Sequence, residues 1–267
     1  MEEIIISVIT TVKNGQTYIL ETLESVKNQT FKKFEHIIVD DGSTDSTLSI
    51  LKIFQKKNPE YKMIILEPGQ IGRGKALNLA VSKSNGKWIA IIDADDIWHP
   101  EKLAIQYRVI GENNVDVLAT ATNLFRDISS IKKDEITVEE YTLSFYSIND
   151  LLKSNTLSHS SVLIRKDICK YNEGLKSQFD YELWLRLAKQ KKKLSKVNLN
   201  LNNHRIHKNQ SFESKMKKAY NWRAFKLKVR FISLDNFQLF FFIVLKLLFD
   251  FTFPRSFRIY MRKNKIL

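Results

Sequence analysis

The sequence predicts an α/β protein with a mainly parallel central sheet flanked by helices, followed by a helical, basic C-terminal extension. Short apolar runs alternate with longer segments of helical periodicity along the first half of the chain. Such alternation is typical of parallel sheets with helices on both faces. Two of the apolar runs end in carboxylates, at Asp40 and at Asp93, and the net positive charge lies in the last third of the chain.

The individual elements follow from the hydrophobic pattern. Runs rich in Ile and Val and bounded by turn residues predict strands at 4–10, 35–39, 62–66, 88–92, 115–121 and 161–165. Segments with a period of 3.6 predict helices at 19–28, 44–57, 71–84, 100–111 and 181–192. The polar stretch 127–147 has neither period and is predicted to be a mobile loop over the site.

Length and composition indicate one large globular domain with an appended part. The chain has 267 residues, of which 43% are hydrophobic, enough for a well-buried core. Its single cysteine, Cys169, excludes an internal disulfide. This suits a reducing compartment, and we interpret the thiol as packed in the core. Residues 1–3 lead directly into an apolar strand without the basic region of a secretion signal.

The most informative segment is Asp93-Ala94-Asp95-Asp96, which follows the predicted strand 88–92. Three carboxylates at a strand end repel one another and are costly to desolvate. Hard oxygen ligands with one residue between them suit Mg²⁺ or Mn²⁺, ions that also hold phosphate oxygens. The position agrees, because open α/β sheets bind ligands at the carboxyl ends of their strands. The alternative is an acidic turn that simply ends the strand.

The strand 35–39 has a similar ending. It runs into Asp40, Asp41 and Gly42, and Ser43, Thr44 or Asp45 can cap the helix that follows. An Asp-Gly turn with an N-cap accounts for residues 42–45 but not for two adjacent aspartates at the strand tip. A carboxylate at this place can accept a hydrogen bond from a nucleobase N–H or a ribose hydroxyl.

The loop at 72–75 offers a further candidate contact. Arg73 and Lys75 alternate there with glycines, an arrangement suited to a phosphate or a base. A solvated loop is the alternative.

The C-terminal part differs from the rest in charge. Residues 189–267 contain 20 Lys and Arg against three acidic residues, a net charge of +17, whereas residues 1–188 carry a net charge of −3. The apolar segment 239–253 is short for a membrane-spanning helix and is flanked by basic stretches at 215–232 and 255–265. This pattern favours a helix lying on an anionic membrane surface. The alternative is a helix docked on the domain; nucleic-acid binding is disfavoured because no signature supports it.

Taken together, the motifs resemble the family 2 glycosyltransferases over about residues 4–211. The segments that carry the resemblance are SVITTVKN at 7–14, LESVKNQT at 23–30, IIVDDGSTD at 37–45, ALN at 76–78, DADD at 93–96, FDYELWLRL at 179–187 and HRIHKNQS at 204–211. The resemblance implies the Rossmann-like GT-A fold for residues 1–211, with residues 212–267 as the extension. It also implies an inverting transfer from a nucleotide sugar.

The resemblance assigns roles to residues near the donor. Asp95 and Asp93 are expected to hold Mn²⁺ or Mg²⁺ bridging the two phosphates, with Ala94 between them at the nucleotide. Thr11 and Asp41 are expected at the base or ribose. The family often has an aromatic residue after the first strand, but this chain has Lys13 in that region, so Lys13 is expected to contact the nucleotide in another way.

On the acceptor side, the resemblance implies a carboxylate that removes the proton from the attacking hydroxyl. The family motif usually reads Glu-Asp, but Phe179 takes the place of the Glu here. That leaves Asp180 as the general base, with Glu182 as the alternative and a plain N-cap as the structural interpretation of Asp180. His207 is a candidate metal or diphosphate contact, or else a packed histidine. Trp184 and Leu187 are expected in the core.

The leading hypothesis is a sugar transferase at the inner face of the cell membrane, cytoplasmic and peripheral. Its donor is a UDP-sugar and its acceptor a polysaccharide or lipid-linked glycan; no nucleic-acid partner is expected, and a homodimer is left open. A nucleotidyltransferase acting on sugar phosphates is the first alternative. It would need a glycine-rich, basic phosphate loop after the first strand, and residues 11–15 are a poor version of one. An inactive sugar-nucleotide-binding protein is the second.

Overall fold

A computed structural model describes residues 3–131, 141–207 and 217–252. Its strands are β1 Ile6–Val12, β2 Phe34–Asp40, β3 Met63–Leu66, β4 Trp88–Ile91, β5 Ile97–Trp98, β6 Val117–Phe125, β7 Leu143–Tyr146, β8 Leu163–Arg165 and β9 Leu194–Arg205. Its helices are α1 Ile19–Lys27, α2 Thr47–Lys57, α3 Arg73–Lys83, α4 Lys102–Glu112, α5 Ile148–Lys153, α6 Phe179–Lys189, α7 Lys217–Val229 and α8 Gln238–Thr252. The predicted elements of the first half are therefore present, with ends shifted by up to four residues.

The strands form one sheet in the order β3-β2-β1-β4-β8-β6-β9-β5, with β7 paired to β9. The first four strands pair in parallel, as predicted. In the second half only β6 and β9 pair in parallel, while β8, β5 and β7 run antiparallel to their neighbours. The fold class is confirmed, and the parallel character is confined mainly to the half that carries Asp41 and Asp93.

Three strands are not among those predicted from the pattern: the two-residue β5, β7 and β9. β9 is rich in Asn and follows a run of lysines, residues that are depleted in strands, yet it pairs with β5, β6 and β7. β7 lies inside the segment 127–147 that was predicted to be a loop, so that prediction is wrong for Leu143–Tyr146. Residues 132–140 of the same segment lie outside the described residues.

The sheet is buried between helices on both faces. One face of β1, β2 and β4 packs against α3 and α6 in a core that contains Ile9, Ile37 and Ile91. Trp184 and Leu187 of α6 are 0% and 1% exposed and belong to this core, as expected. The buried thiol of Cys169 lies in the same cluster.

The C-terminal helices α7 and α8 pack against the domain. Leu227 of α7 and Ile243 of α8 are 5% and 3% exposed and join the main core, and α8 contacts α5. Part of the surface of the C-terminal helices is thus docked on the domain, as in the alternative given for the apolar segment 239–253. No helix in the described ranges is both long enough and apolar enough to cross a membrane. The predicted boundary between residues 211 and 212, and the basic stretch 255–265, lie outside those ranges.

Candidate active site

The first parallel strands bring the predicted donor residues to one edge of the sheet. Thr11 pairs with Val39 across β1 and β2, and the Asp41 amide donates to the Val12 carbonyl at 2.8 Å. On the other side of β1, the Ile92 amide donates to the Ile9 carbonyl at 3.1 Å. Because these three strands end together, Thr11, Asp41 and Asp93 lie along the same edge.

Asp41 holds the loop that leads into α3. Its Oδ1 accepts the amides of Ile71 at 2.7 Å and Gly72 at 2.8 Å. Gly42 follows with φ +75°, and a Cβ there would come within 3.0 Å of the Gln70 backbone nitrogen. The aspartate and the glycine therefore let the two loops approach closely, which places Arg73 at the edge of the sheet.

Arg73 reaches the first aspartate of the acidic segment. Its guanidinium donates to the Asp93 carboxylate, and it retains 43% exposure of its side chain. The charge of Asp93, and after it those of Asp180 and Asp95, raise the pKa of Arg73. Burial alone would raise the pKa of Asp93, but Arg73 and then His159 hold it below its usual range. Asp93 is consequently ionised, and the Arg73 cation lies among three aspartates.

His159 is a residue of this site that the sequence pattern did not indicate. Its Nδ1 lies 3.4 Å from both Asp93 Oδ1 and the Arg73 guanidinium, and its Nε2 lies 3.0 Å from the Tyr171 hydroxyl. Its neighbour Ser160 accepts the Asp93 amide at 3.0 Å. The segment after α5 thus contacts Asp93 through both its side chain and its backbone amide. His159 itself is buried, with 8% of the residue exposed.

Two histidines of the motif at 204–211 contact the other two aspartates of the acidic segment, Asp95 and Asp96. His207 Nε2 lies 2.9 Å from Asp95 Oδ2. His204 Nδ1 lies 3.1 Å from an oxygen of the fully buried Asp96, whose other oxygen accepts the Arg205 amide at 3.0 Å. Burial lowers the pKa of His204, but the hydrogen bond and charge of Asp96 outweigh it and raise the pKa to about 9. Asp96 is therefore a structural anchor for β9. Residues 208–211 of the motif lie outside the described ranges.

The residues near Asp95 fit a divalent ion whose coordination is completed by substrate. Asp95 and His207 bring an oxygen and a nitrogen donor together, both partly exposed. Within the described ranges no cluster of three or more His, Cys, Asp or Glu side chains forms a complete metal cage. Mg²⁺ is usually held by one or two carboxylates plus phosphates and water, so a partial protein donor set is the expected form. Asp93, the other predicted ligand, is directed at Arg73 and His159.

Asp180 lies in the first turn of α6, after Gln178 in the left-handed conformation at φ 64°. Its Oδ2 accepts the Asn155 side-chain amide at 3.3 Å. Tyr220 of α7 lies nearby: burial, and after it the charge of Asp180, raises the pKa of Tyr220 to about 12. The base candidate therefore contacts the segment after α5, and its charge acts on Tyr220 of α7 although every sequence motif precedes that helix.

Glu182, the alternative base, is occupied elsewhere. It is 6% exposed, and its two oxygens accept from Arg186 one helical turn later, at 2.9 and 3.3 Å. A carboxylate held in this way on the buried side of α6 is a poor acceptor for a substrate proton. The geometry therefore favours Asp180, which is partly exposed.

The remaining predicted residues vary in their surroundings. Thr11 is partly exposed at the end of β1, and Ala94 packs near Val12. Lys13 and Lys75 have exposed side chains. The structure therefore brings Arg73, Asp93 and Asp41 into one connected group, and leaves the roles of Lys13 and Lys75 as predictions.

The sequence offered little signal for His159, Tyr171, Asn155 and Tyr220. Each lies in a segment without a recognised motif, and each reaches the site through contacts between elements that are distant in the chain. The one available hint was a polar cluster, Ser158–Ser161, just before the apolar strand β8.

The sequence is similar to a known protein family. A family model described as glycosyl transferase family 2 matches residues 7–171. The O-antigen biosynthesis glycosyltransferase WbnJ of Escherichia coli is 30% identical, over 84% of this chain and 87% of its own length.

Two solved structures have a similar fold. Residues 1–349 of S. aureus TarS, in complex with UDP-GlcNAc, give a TM-score of 0.70 at 22% identity, covering 94% of this chain and 74% of that one. The mannosyltransferase PcManGT of Pyrobaculum calidifontis, in complex with GDP-Man and Mn²⁺, gives a TM-score of 0.64 at 16% identity, covering 91% and 69%. The GT-A architecture implied by the sequence is confirmed.

Proposed function

The chain belongs to glycosyl transferase family 2, and on that premise we propose that it is an inverting, metal-dependent hexosyltransferase using a UDP-sugar. The observation that carries the proposal is the position of Arg73. Its guanidinium contacts Asp93 on the donor side, and its pKa is raised by Asp93 and, after it, by Asp180 on the acceptor side. The two carboxylates proposed for donor activation and for proton removal therefore both act electrostatically on the same guanidinium.

On the donor side, the chain's own residues would hold the nucleotide and neutralise its diphosphate. Asp95 and His207 would hold Mn²⁺ or Mg²⁺, and Asp93 could join them only by giving up its contacts with Arg73 and His159. The bound ion would supply Lewis-acid stabilisation of the leaving diphosphate. Arg73 is close enough to Asp93 to add a second positive charge at the same place. A Mn²⁺-containing structural relative supports the choice of metal.

On the acceptor side, Asp180 would remove the proton from the attacking hydroxyl. A general base has to lie within hydrogen-bond reach of that proton and face the substrate. Asp180 meets the second condition because it is partly exposed at the start of α6, whereas Glu182 is buried against Arg186. The Asn155 amide orients the Asp180 carboxylate from the side of α5.

For the nucleotide, UDP is the proposed carrier, with Asp41 and Thr11 at the base or ribose and Lys13, Lys75 and the Ala94 backbone nearby. The TarS structures contain UDP and UDP-GlcNAc, which supports this choice, while PcManGT contains GDP-Man. Asp41 Oδ1 is already committed to the loop amides of Ile71 and Gly72. Its other oxygen is the one assigned to the nucleotide.

Asp41→Ala should weaken UDP binding by roughly 1–3 kcal/mol, because it removes a buried polar partner and leaves two loop amides unpaired. Calorimetry with UDP measures the change. Asp41→Asn is the matched control, since its carbonyl oxygen can still accept both amides. If Asp41→Ala binds UDP as tightly as the wild type, Asp41 is not part of the nucleotide site.

The acceptor is proposed to be a hydroxyl of a polysaccharide or lipid-linked glycan, at the cytoplasmic, inner face of the cell membrane. WbnJ is named for O-antigen biosynthesis, which supports a surface glycan as the product. The net charge of +17 over residues 189–267 supports a peripheral position on anionic lipid.

A nucleotidyltransferase is the alternative that the structure disfavours most directly. Its phosphate loop would present free backbone amides after β1. Here the amides of Asn14, Gly15 and Gln16 donate instead to the side chains of Ser43, Thr47 and Asp45, at 2.9, 2.8 and 3.2 Å. This segment is tied to the loop after β2 and is not shaped as an anion cradle.

Incubation with a panel of nucleotide sugars and Mn²⁺ tests the proposal. We expect slow release of UDP from at least one UDP-sugar, abolished by EDTA, and no exchange of pyrophosphate. Pyrophosphate exchange would support the nucleotidyltransferase. Tight UDP-sugar binding without turnover, with or without an acceptor extract, would support the inactive binding protein.

A further inference from the structure

A stripe of apolar side chains runs along the outer face of α8. Phe237 lies just before the helix, and Phe241, Leu245 and Leu248 follow at intervals of three or four residues; these side chains are 52%, 62%, 65% and 55% exposed. Residues at this spacing lie on one side of a helix. The opposite side carries the buried Ile243, which packs on the domain. α8 thus has two apolar faces, and the domain covers one of them.

The surroundings of the stripe are cationic. α7, which packs against α8, exposes Arg223, Lys226 and Arg230. At the end of α6, the Lys189 ammonium lies 5.9 Å from the centre of the Phe231 ring, so the lysine-rich turn after α6 is next to the turn between α7 and α8. Trp222 of α7 is 45% exposed, an amphipathic ring of the kind enriched at membrane interfaces.

We propose that the outer stripe of α8 lies on an anionic lipid bilayer. Apolar side chains that enter the boundary between headgroups and acyl chains, with exposed Lys and Arg on a neighbouring helix, match the chemistry of such a surface. A second copy of the chain fits less well, because two-fold pairing through the stripe would bring two strongly basic regions together. Among the described residues no helix is long and apolar enough to cross a bilayer, and Ile243 of α8 packs in the core of the domain.

The sides of α7 and α8 that pack on the domain connect the apolar stripe to the part of the site around Asp180. Lys228 of α7 and Lys246 of α8 both donate to the Lys153 carbonyl at the end of α5, at 3.4 and 2.8 Å. Asn155, two residues further on, donates to Asp180. A bilayer against α8 would therefore hold Asp180 near the membrane. This step rests on the proposed function, and it favours a lipid-linked hydroxyl as the acceptor over a soluble one.

Flotation with phosphatidylcholine vesicles, with and without phosphatidylglycerol, tests the surface. The wild type should float with the anionic vesicles at low salt, and less so at high salt, since screening weakens only the cationic contribution. Leu245→Glu should reduce the vesicle-bound fraction by about tenfold or more, because a leucine that enters the bilayer in the proposed contact becomes a carboxylate facing anionic lipid. Ile53→Glu on α2, where the isoleucine is 55% exposed, is the matched control and should float like the wild type.

Donor hydrolysis in solution separates this inference from the proposed function. A protein that releases UDP from a UDP-sugar but does not float overturns the surface and leaves the function standing. A protein that floats but releases no UDP from a UDP-sugar leaves the membrane surface standing and overturns the proposed function. Equal flotation of Leu245→Glu and the wild type would overturn the membrane surface. A wild-type dimer that Leu245→Glu converts to a folded monomer, without any vesicle binding, would also overturn the membrane surface. Phe241→Ser provides a second variant should Leu245→Glu fail to fold.

Discussion

Asp180→Asn should lower turnover by about 10²–10⁴, the usual contribution of a general base, while UDP-sugar affinity stays close to that of the wild type. Asparagine is nearly isosteric and can keep the hydrogen bond with Asn155 after an amide flip, but it cannot accept the acceptor's proton. The carboxylate is partly exposed at the start of α6, and its charge helps to raise the pKa of Arg73. Steady-state kinetics together with donor-binding calorimetry separate the loss of chemistry from a loss of binding.

Glu182→Gln is the matched control on the same helix. Glu182 is buried and bonded to Arg186, so its replacement should lower stability modestly and leave turnover near the wild-type value. A large loss of turnover in Glu182→Gln, with an active Asp180→Asn, would transfer the role to Glu182. Normal turnover in both variants would remove the first turn of α6 from the chemistry.

Changing a residue that only hydrogen-bonds to a metal ligand typically costs about 10–100-fold in activity. Asp95→Asn should lower the transfer rate by more than that. The expected reason is a lost charged ligand to the diphosphate-bound ion. The side chain is 24% exposed and lies against the partly exposed His207, so the fold should survive. Mn²⁺ titration in the presence of UDP should show weaker metal binding, a readout that does not depend on activity.

Asp96→Asn is the contrasting variant, one residue along the chain. Asp96 is fully buried and holds His204 and the Arg205 amide. Its replacement should lower the unfolding temperature while changing Mn²⁺ affinity less than Asp95→Asn does. If EDTA and Asp95→Asn both leave transfer rates unchanged, the proposed metal role is wrong.

The parts of the site that could be predicted lie at the ends of regular strands. Asp41 and Asp93 follow apolar runs whose length and composition mark buried parallel strands, and parallel strands end at a common edge. Local sequence therefore placed these two carboxylates correctly relative to the sheet. The order and spacing of the motifs carried the family, which the comparisons confirm.

The second half of the sheet was less accessible to sequence reasoning. β9 has an Asn-rich sequence that lacks the apolar alternation of a typical strand, and it is stabilised by pairing with three other strands. Strand formation there depends on partners distant in the chain, which a local pattern does not record. The antiparallel insertion of β8 between β4 and β6 follows from the same non-local pairing.

By itself, the sequence determined the α/β class, the family and the aspartates of the donor edge, because each is expressed in short segments of regular period or motif. Only the tertiary structure decided that Arg73 contacts Asp93, that His159 supports it and that Asn155 donates to Asp180. Only the structure, likewise, divided α8 into a docked face and an exposed one. These are contacts between side chains that are far apart in the chain, and packing of the whole domain fixes them.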